Sequence, residues 1–185
     1  MHSWKLRRAA RVIHSGGVIA YPTEAVWGLG CNPADAFAVQ RIWQLKGRAA
    51  EKGLILIASH LDLLLPWISP PSEEHLQTLK QPCERPVTWV VTAHAATPPW
   101  LTGNRPTLAI RITDHPLVGD LCRASQLPLV STSANPAGRP PARSALAIRH
   151  YFDDGVDLIV HGALGDARRP SEIRDLNSGR ILRPG

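Results

Sequence analysis

Apolar positions along this chain follow two periods, helical and alternating, and the two interleave from end to end. From Ser3, which can cap a helix, Leu6, Ala9, Ala10 and Ile13 recur at helical spacing with Arg7, Arg8 and Arg11 opposite, until Gly16-Gly17 stops the pattern. Residues 18–21 form a short apolar strand closed by Pro22, which has no N–H for a ladder. A second helix is predicted with Asn32 as cap, Pro33 in its first turn, Val39, Ile42 and Trp43 inward, and an end near Lys46-Gly47. A strand at 54–58 and helical segments at 60–67 and 72–80 follow, the last two separated by Ser69-Pro70-Pro71. Further strands are predicted at 87–92, 107–113, 127–130, 156–160 and 181–183, with helices at 116–125 and 145–152.

This interleaving predicts one α/β domain over residues 1–185: a twisted, mixed parallel and antiparallel sheet flanked by helices. The short connection between 87–92 and 107–113 permits an antiparallel pair. With 185 residues, 44% hydrophobic and 19% charged, the chain has the balance of a soluble globular protein. Its longest apolar runs, 54–58 and 63–65, are too short for a bilayer, so no membrane association is expected. The charged start, Met1 to Arg8, leads into no apolar leader segment, and a cytoplasmic location is expected.

Cys31, Cys83 and Cys122 are widely spaced and form no Cys-x-x-Cys pair, so they are expected to be buried, inert thiols. The net charge of +6 points to an anionic partner: nucleotide, nucleic acid or an acidic surface. Six Trp are scattered and do not alternate with basic residues as a base-stacking platform would, and the arginine face of the first helix reads as solvated.

Four segments carry candidate chemistry. After the first strand, Thr23 and Glu24 bring a hydroxyl and a carboxylate, and Gly28 and Gly30 permit close backbone approach; a plain strand, turn and second strand explains them equally well. Lys46, Arg48 and Lys52 set three cations in seven residues between a helix end and a buried strand. Helix-dipole compensation accounts for Lys46, but Arg48 and Lys52 lie beyond the helix and suit a polyphosphate. Arg111 sits among apolar neighbours in Thr107-Leu108-Ala109-Ile110-Arg111-Ile112, so it requires an anion, either a structural carboxylate or a substrate one. Finally, Ser131-Thr132-Ser133-Ala134-Asn135 crowds hydroxyls and an amide at a strand end before Pro136 and Gly138; taken alone, a Ser/Thr/Asn-rich turn explains it better. No Walker loop, dinucleotide fingerprint, acid pair, metal cluster or activated nucleophile is present, and His115 reads as a capping or surface residue.

Several motifs in register then resemble one family. Pro22-Thr23-Glu24-Ala25-Val26-Trp27-Gly28-Leu29-Gly30, Lys46-x-Arg48 with Lys52-Gly53-Leu54, Pro86-Val87-Thr88, Ala109-Ile110-Arg111-Ile112 before His115-Pro116, Ser131–Asn135, Pro170-Ser171-Glu172-Ile173-Arg174-Asp175 and Ile181-Leu182-Arg183 resemble the YrdC-like threonylcarbamoyl-adenylate synthases in their short bacterial form. Departures are Ala49, where members often carry Pro, Pro136-Ala137-Gly138, which lacks a usual Ser, and the atypical Gly165-Asp166-Ala167-Arg168-Arg169.

The resemblance implies formation of threonylcarbamoyl-AMP and pyrophosphate from L-threonine, bicarbonate or CO₂, and ATP with Mg²⁺. Partner proteins would then pass the group to the adenosine beside the anticodon of tRNAs reading codons that begin with A. It nominates Lys46 and Arg48 as catalytic, and Lys46, Arg48, Lys52, Thr88, Ser133, Asn135, Arg143 and Ser171 for the nucleotide. Thr23, Arg111 and Ser131 would hold threonine, with Arg111 on its carboxylate, and no protein-only metal site is implied. The rival readings are a non-catalytic RNA-binding module that assists ribosomal RNA maturation, and a carbamoyl-transfer or hydrolase domain; weak tRNA or RNA binding also accords with the basic balance.

Overall fold

The computed structural model describes residues 3–83 and 85–185; Met1 and His2, which open the charged start, lie outside them. Among the described residues nine strands form one sheet: β1 (Ile19–Pro22), β2 (Trp27–Gly30), β3 (Ile55–Ala58), β4 (Val87–Thr92), β5 (Thr107–Ile112), β6 (Leu129–Ser133), β7 (Leu158–Ile159), β8 (Glu172–Asp175) and β9 (Ile181–Arg183). Their order is β7-β1-β2-β6-β3-β5-β4-β8-β9. The β7/β1, β3/β5 and β4/β8 pairs are parallel and the rest antiparallel, so the sheet is mixed, and β4 and β5 pair antiparallel across their short connection.

Side chains alternate between sheet faces, and the core divides accordingly. Ile19, Tyr21, Ile57 and Leu129 pack beneath α1 (Ser3–His14) and α5 (Pro116–Ser125), through Ala9, Ile13, Leu117, Val118 and Leu121. Their sequence neighbours Ala20, Leu56, Ala58 and Val130 face the other way. There they meet Val39 and Ile42 of α2 (Ala36–Lys46), Leu79 of α3 (Glu73–Lys80), Leu101 of α4 (Pro99–Thr102), and Ile148 and Phe152 of α6 (Ala145–Phe152). Gly30 is required where β2 crosses Tyr21, because a Cβ there would lie 2.5 Å from the Val130 carbonyl oxygen and 2.8 Å from the Tyr21 ring.

Several elements depart from the expected pattern. Helix α2 begins at Ala36, not at Pro33: Asn32 accepts from the Ala34 N–H in a local turn, and Asp35 is the cap, accepting from Ala38 N–H at 3.0 Å. The segment 60–67 is two 3-10 turns, Leu61–Leu63 and Leu65–Trp67, because Pro66 has no N–H for an α-helical bond and disfavours helical backbone at the residue before it. Ser3 is assigned to the first turn of α1 itself. Strand β6 runs on through Ser131 and Ser133, so the hydroxyls belong to the sheet and not to the turn. Cys31 and Cys122 are buried free thiols, and burial pushes Cys122 up to about 11, but Cys83 is exposed because it follows α3 into a surface loop. No helix among the described residues is long and apolar enough to cross a membrane.

Candidate active site

Helices α1 and α5 cover only part of their sheet face, and a cavity of about 610 Å³ occupies the rest. One register row forms its floor: Ser131 of β6 pairs with Ile55 of β3, Ile55 with Ala109 of β5, and Ala109 with Val90 of β4. The next row, Leu129–Ile57–Arg111, runs from the apolar core to the cavity edge. Arg111 therefore stands at that border, 9% exposed.

The partner of Arg111 is Glu24, with which it forms an ion pair. Glu24 also accepts from the Thr113 hydroxyl, which in turn accepts the His115 backbone N–H at 3.1 Å. Burial pulls the Glu24 carboxyl upward, but the Arg111 charge and the Thr113 hydrogen bond outweigh it and hold the group below the usual carboxylate range. Glu24 is thus ionised and lines the cavity. It was not among the nominated residues; its only sequence signal is its place after Pro22-Thr23, since its partners lie far along the chain.

At the other end, cations gather. Arg48 donates to the carbonyls of Gly53 at 2.9 Å and Lys52 at 3.4 Å. Arg105 donates to the Glu51 carbonyl at 2.8 Å and to Thr102 at 3.2 Å, and Arg183 to the Ser171 carbonyl at 2.8 Å. Burial, and after it the charges of Arg105 and Arg183, push Arg48 below its ordinary pKa, which marks the three as mutually repelling neighbours. Among the described residues each is held by backbone carbonyls and not by a carboxylate, leaving its charge for an anionic ligand. Arg105 and Arg183 were missed as site residues because they come from separate loops and a sheet-edge strand.

Lys46 occupies a different position from the one its motif suggests. It is 4% exposed and donates to the carbonyls of Ser133 and of Asn135, the latter at 2.9 Å, and to Asn135 Oδ1 at 3.4 Å. Ser133 donates to the same Oδ1 at 2.7 Å, while Asn135 Nδ2 donates to the Arg139 carbonyl at 2.8 Å. Lys46 and Asn135 therefore pin the end of β6, where Ser133 lines the cavity, to the loop that follows it. Burial and then the Arg48 charge push the Lys46 ammonium down to about 8.

Of the nominated residues, Thr23, Arg48, Lys52, Arg111, Ser131, Ser133 and Ser171 line the cavity together. Thr88 is fully buried behind it, its hydroxyl 2.7 Å from that of Ser171. Arg143 is exposed and stands outside the lining. Thr23 closes its own turn by donating to the Val26 carbonyl at 2.8 Å, and its oxygen keeps lone pairs for a ligand.

Fold and cavity define an α/β protein with a charged cavity over one face of a mixed sheet, cationic at one end and holding an ion pair at the other. A family model described as "Telomere recombination", that of the Sua5, YciO and YrdC proteins, matches residues 11–185. The threonylcarbamoyl-AMP synthase of Stutzerimonas stutzeri is 50% identical over 98% of this chain and 97% of its own length, and that of Cellvibrio japonicus 49% over 97% and 95%. The crystal structure of Pyrococcus abyssi Sua5 complexed with L-threonine superposes with a TM-score of 0.92 at 33% identity. It covers 100% of this chain, which spans 55% of the P. abyssi chain. Escherichia coli YciO shares the fold, with a TM-score of 0.80 at 24% identity. The chain belongs to the Sua5/YciO/YrdC family, and it is an enzyme.

Proposed function

We propose that this enzyme is a threonylcarbamoyl-AMP synthase that joins L-threonine, bicarbonate or CO₂, and ATP into threonylcarbamoyl-AMP with release of pyrophosphate. The observation that carries this reading is one cavity with a carboxylate-pairing arginine, Arg111, at one end and a carboxylate-free cation cluster, Arg48, Arg105 and Arg183, at the other. The synthase relatives and the threonine complex of P. abyssi Sua5 support it.

Arg111, Ser131 and Thr23 hold threonine, whose nitrogen, after the ammonium form has lost a proton, adds to CO₂ with loss of a further proton, or to bicarbonate with loss of water, to give a carbamate. A carbamate oxygen then attacks the α-phosphorus of ATP, and the bond to pyrophosphate breaks. Arg48, Lys52, Arg105 and Arg183 stabilise the charge that collects on the leaving pyrophosphate. No protein nucleophile enters this scheme. Mg²⁺ would arrive on the triphosphate, where it would neutralise phosphate charge. The product would serve tRNA-modifying partner proteins acting on the adenosine beside the anticodon.

The test is incubation of the pure chain with ATP, Mg²⁺, threonine and labelled bicarbonate. Threonine-dependent pyrophosphate and labelled threonylcarbamoyl-AMP are expected; their absence, with salt-sensitive RNA binding in its place, would favour the RNA-binding reading.

Lys46 adds a separate prediction. An anion that neutralises Arg48 removes the smaller of the two effects that hold the Lys46 pKa down to about 8, so the lysine regains charge on ligand binding. Calorimetry of ATP binding at pH 8 in buffers of different ionisation enthalpy should show net proton uptake, at most about half a proton per site. In Lys46→Arg, whose guanidinium stays charged throughout, the uptake should vanish.

A further inference from the structure

We propose that Glu24 is a substrate-binding residue, and that the Arg111–Glu24 pair recognises the zwitterion of an α-amino acid: Arg111 the carboxylate, Glu24 the ammonium group. The proposal rests on the reading of Arg111 as the carboxylate partner. A purely structural ion pair belongs in apolar surroundings that it fills; this pair instead lines the cavity, with side-chain exposures of 11% and 18%.

Both groups are held in place by the protein. The Glu24 backbone carbonyl accepts from Ala167 N–H at 3.1 Å, and the Thr23 carbonyl from Gly165 N–H at 3.0 Å, so residues 165–167 strap the turn from outside. Gly165 allows this close approach, since a Cβ there would lie 2.9 Å from the Glu24 Cα. Within the turn, Thr113 donates to the carboxylate while taking the N–H of His115, the residue that leads into α5. Helix start, Thr113, Glu24 and Arg111 thus form one polar chain that fixes both charges.

Binding capacity remains on each side. Arg111 has five N–H donors, its ion pair with Glu24 is made through Nη2, and the side chain lines the cavity, so donors remain for a second carboxylate. An ionised carboxylate has room for about four donors, and Glu24 faces few. In an α-amino acid the ammonium and carboxylate are adjacent, as are the carboxylate and guanidinium here. A ligand with a carboxylate alone would gain at Arg111 and be repelled at Glu24. The pair therefore selects amino acids over hydroxy acids.

The test compares two probes by calorimetry, L-threonine and 2,3-dihydroxybutyrate, which has a hydroxyl in place of the amine. The wild-type chain should favour threonine, and in Glu24→Gln that preference should fall by about tenfold or more, threonine losing affinity while the amine-free acid does not. Thr113→Val, which frees the carboxylate to turn, should move the preference the same way by less, and it decides the matter if Glu24→Gln does not fold. Equal loss for both probes would make Glu24 a structural residue and overturn the proposal, as would an unchanged preference. A wild-type chain that binds threonine no better than the amine-free acid would overturn the zwitterion assignment but leave Arg111 as carboxylate partner. Failure to bind either probe would remove the Arg111 reading as well.

Discussion

Arg111→Ala is expected to destabilise the chain by about 3–5 kcal/mol, because it leaves the Glu24 carboxylate buried without its counter-charge. The deficit should depend on pH with a defined sign. In the wild type, Glu24 titrates below its ordinary value, so its contribution is present above the unfolded pKa of about 4.3 and is lost as pH falls through the folded one. In the variant the Arg111 charge no longer offsets burial and only the Thr113 and backbone hydrogen bonds oppose it, so the Glu24 pKa rises from its wild-type position, and the deficit is relieved in acid, where Glu24 is neutral in both proteins. Denaturant melts of the two proteins should therefore converge toward low pH and stand furthest apart near neutrality. Parallel curves would show that Glu24 does not depend on Arg111 for its ionisation. The variant's threonine requirement should rise as well.

Arg48→Ala should separate stability from catalysis in the opposite direction. Among the described residues its guanidinium is bonded only to the backbone carbonyls of Lys52 and Gly53, and it is crowded by Arg105 and Arg183, so its removal also relieves repulsion. Stability should change by no more than about 1 kcal/mol. Pyrophosphate release should fall by about 10²–10³-fold in kcat, the scale of losing one donor aimed at developing charge. A matching fall in melting temperature would recast Arg48 as a prop for the 48–53 loop.

The elements legible in the sequence are those whose burial follows a single period. β5, which alternates over its first four residues, and α5, which repeats cleanly, lie within a residue of where the pattern places them, as does α6 with Ser144 accepting from Ala147 N–H. β8 escaped because Glu172-Ile173-Arg174-Asp175 is half-buried on both faces and pairs its own Glu172 and Arg174, which reads as a polar loop. The four residues of α4 are too few to show a period. In the site, Ser131, Ser133 and Arg111 could be found because strands deliver them. Glu24 could not be assigned a role, since its meaning comes from Arg111 and Thr113, which are adjacent only once the sheet has formed. Lys46 was legible as a cation near the site, but its burial under the Ser133–Asn135 loop depends on where α2 lands.

The strand order has a consequence for how the chain folds. β1 pairs with β2 near the N-terminus, and β3, β5 and β4 can pair with one another, but β6 alone joins the two groups, by pairing with β2 on one side and β3 on the other. A nascent chain that has not reached residue 129 holds two sheet fragments, each with an open hydrogen-bonding edge, and their closure is a long-range contact of the slow kind. The strand that welds them carries Ser131 and Ser133. Ribosome-bound intermediates short of it have no binding pocket to protect with ligand, and must be shielded at their edges in some other way.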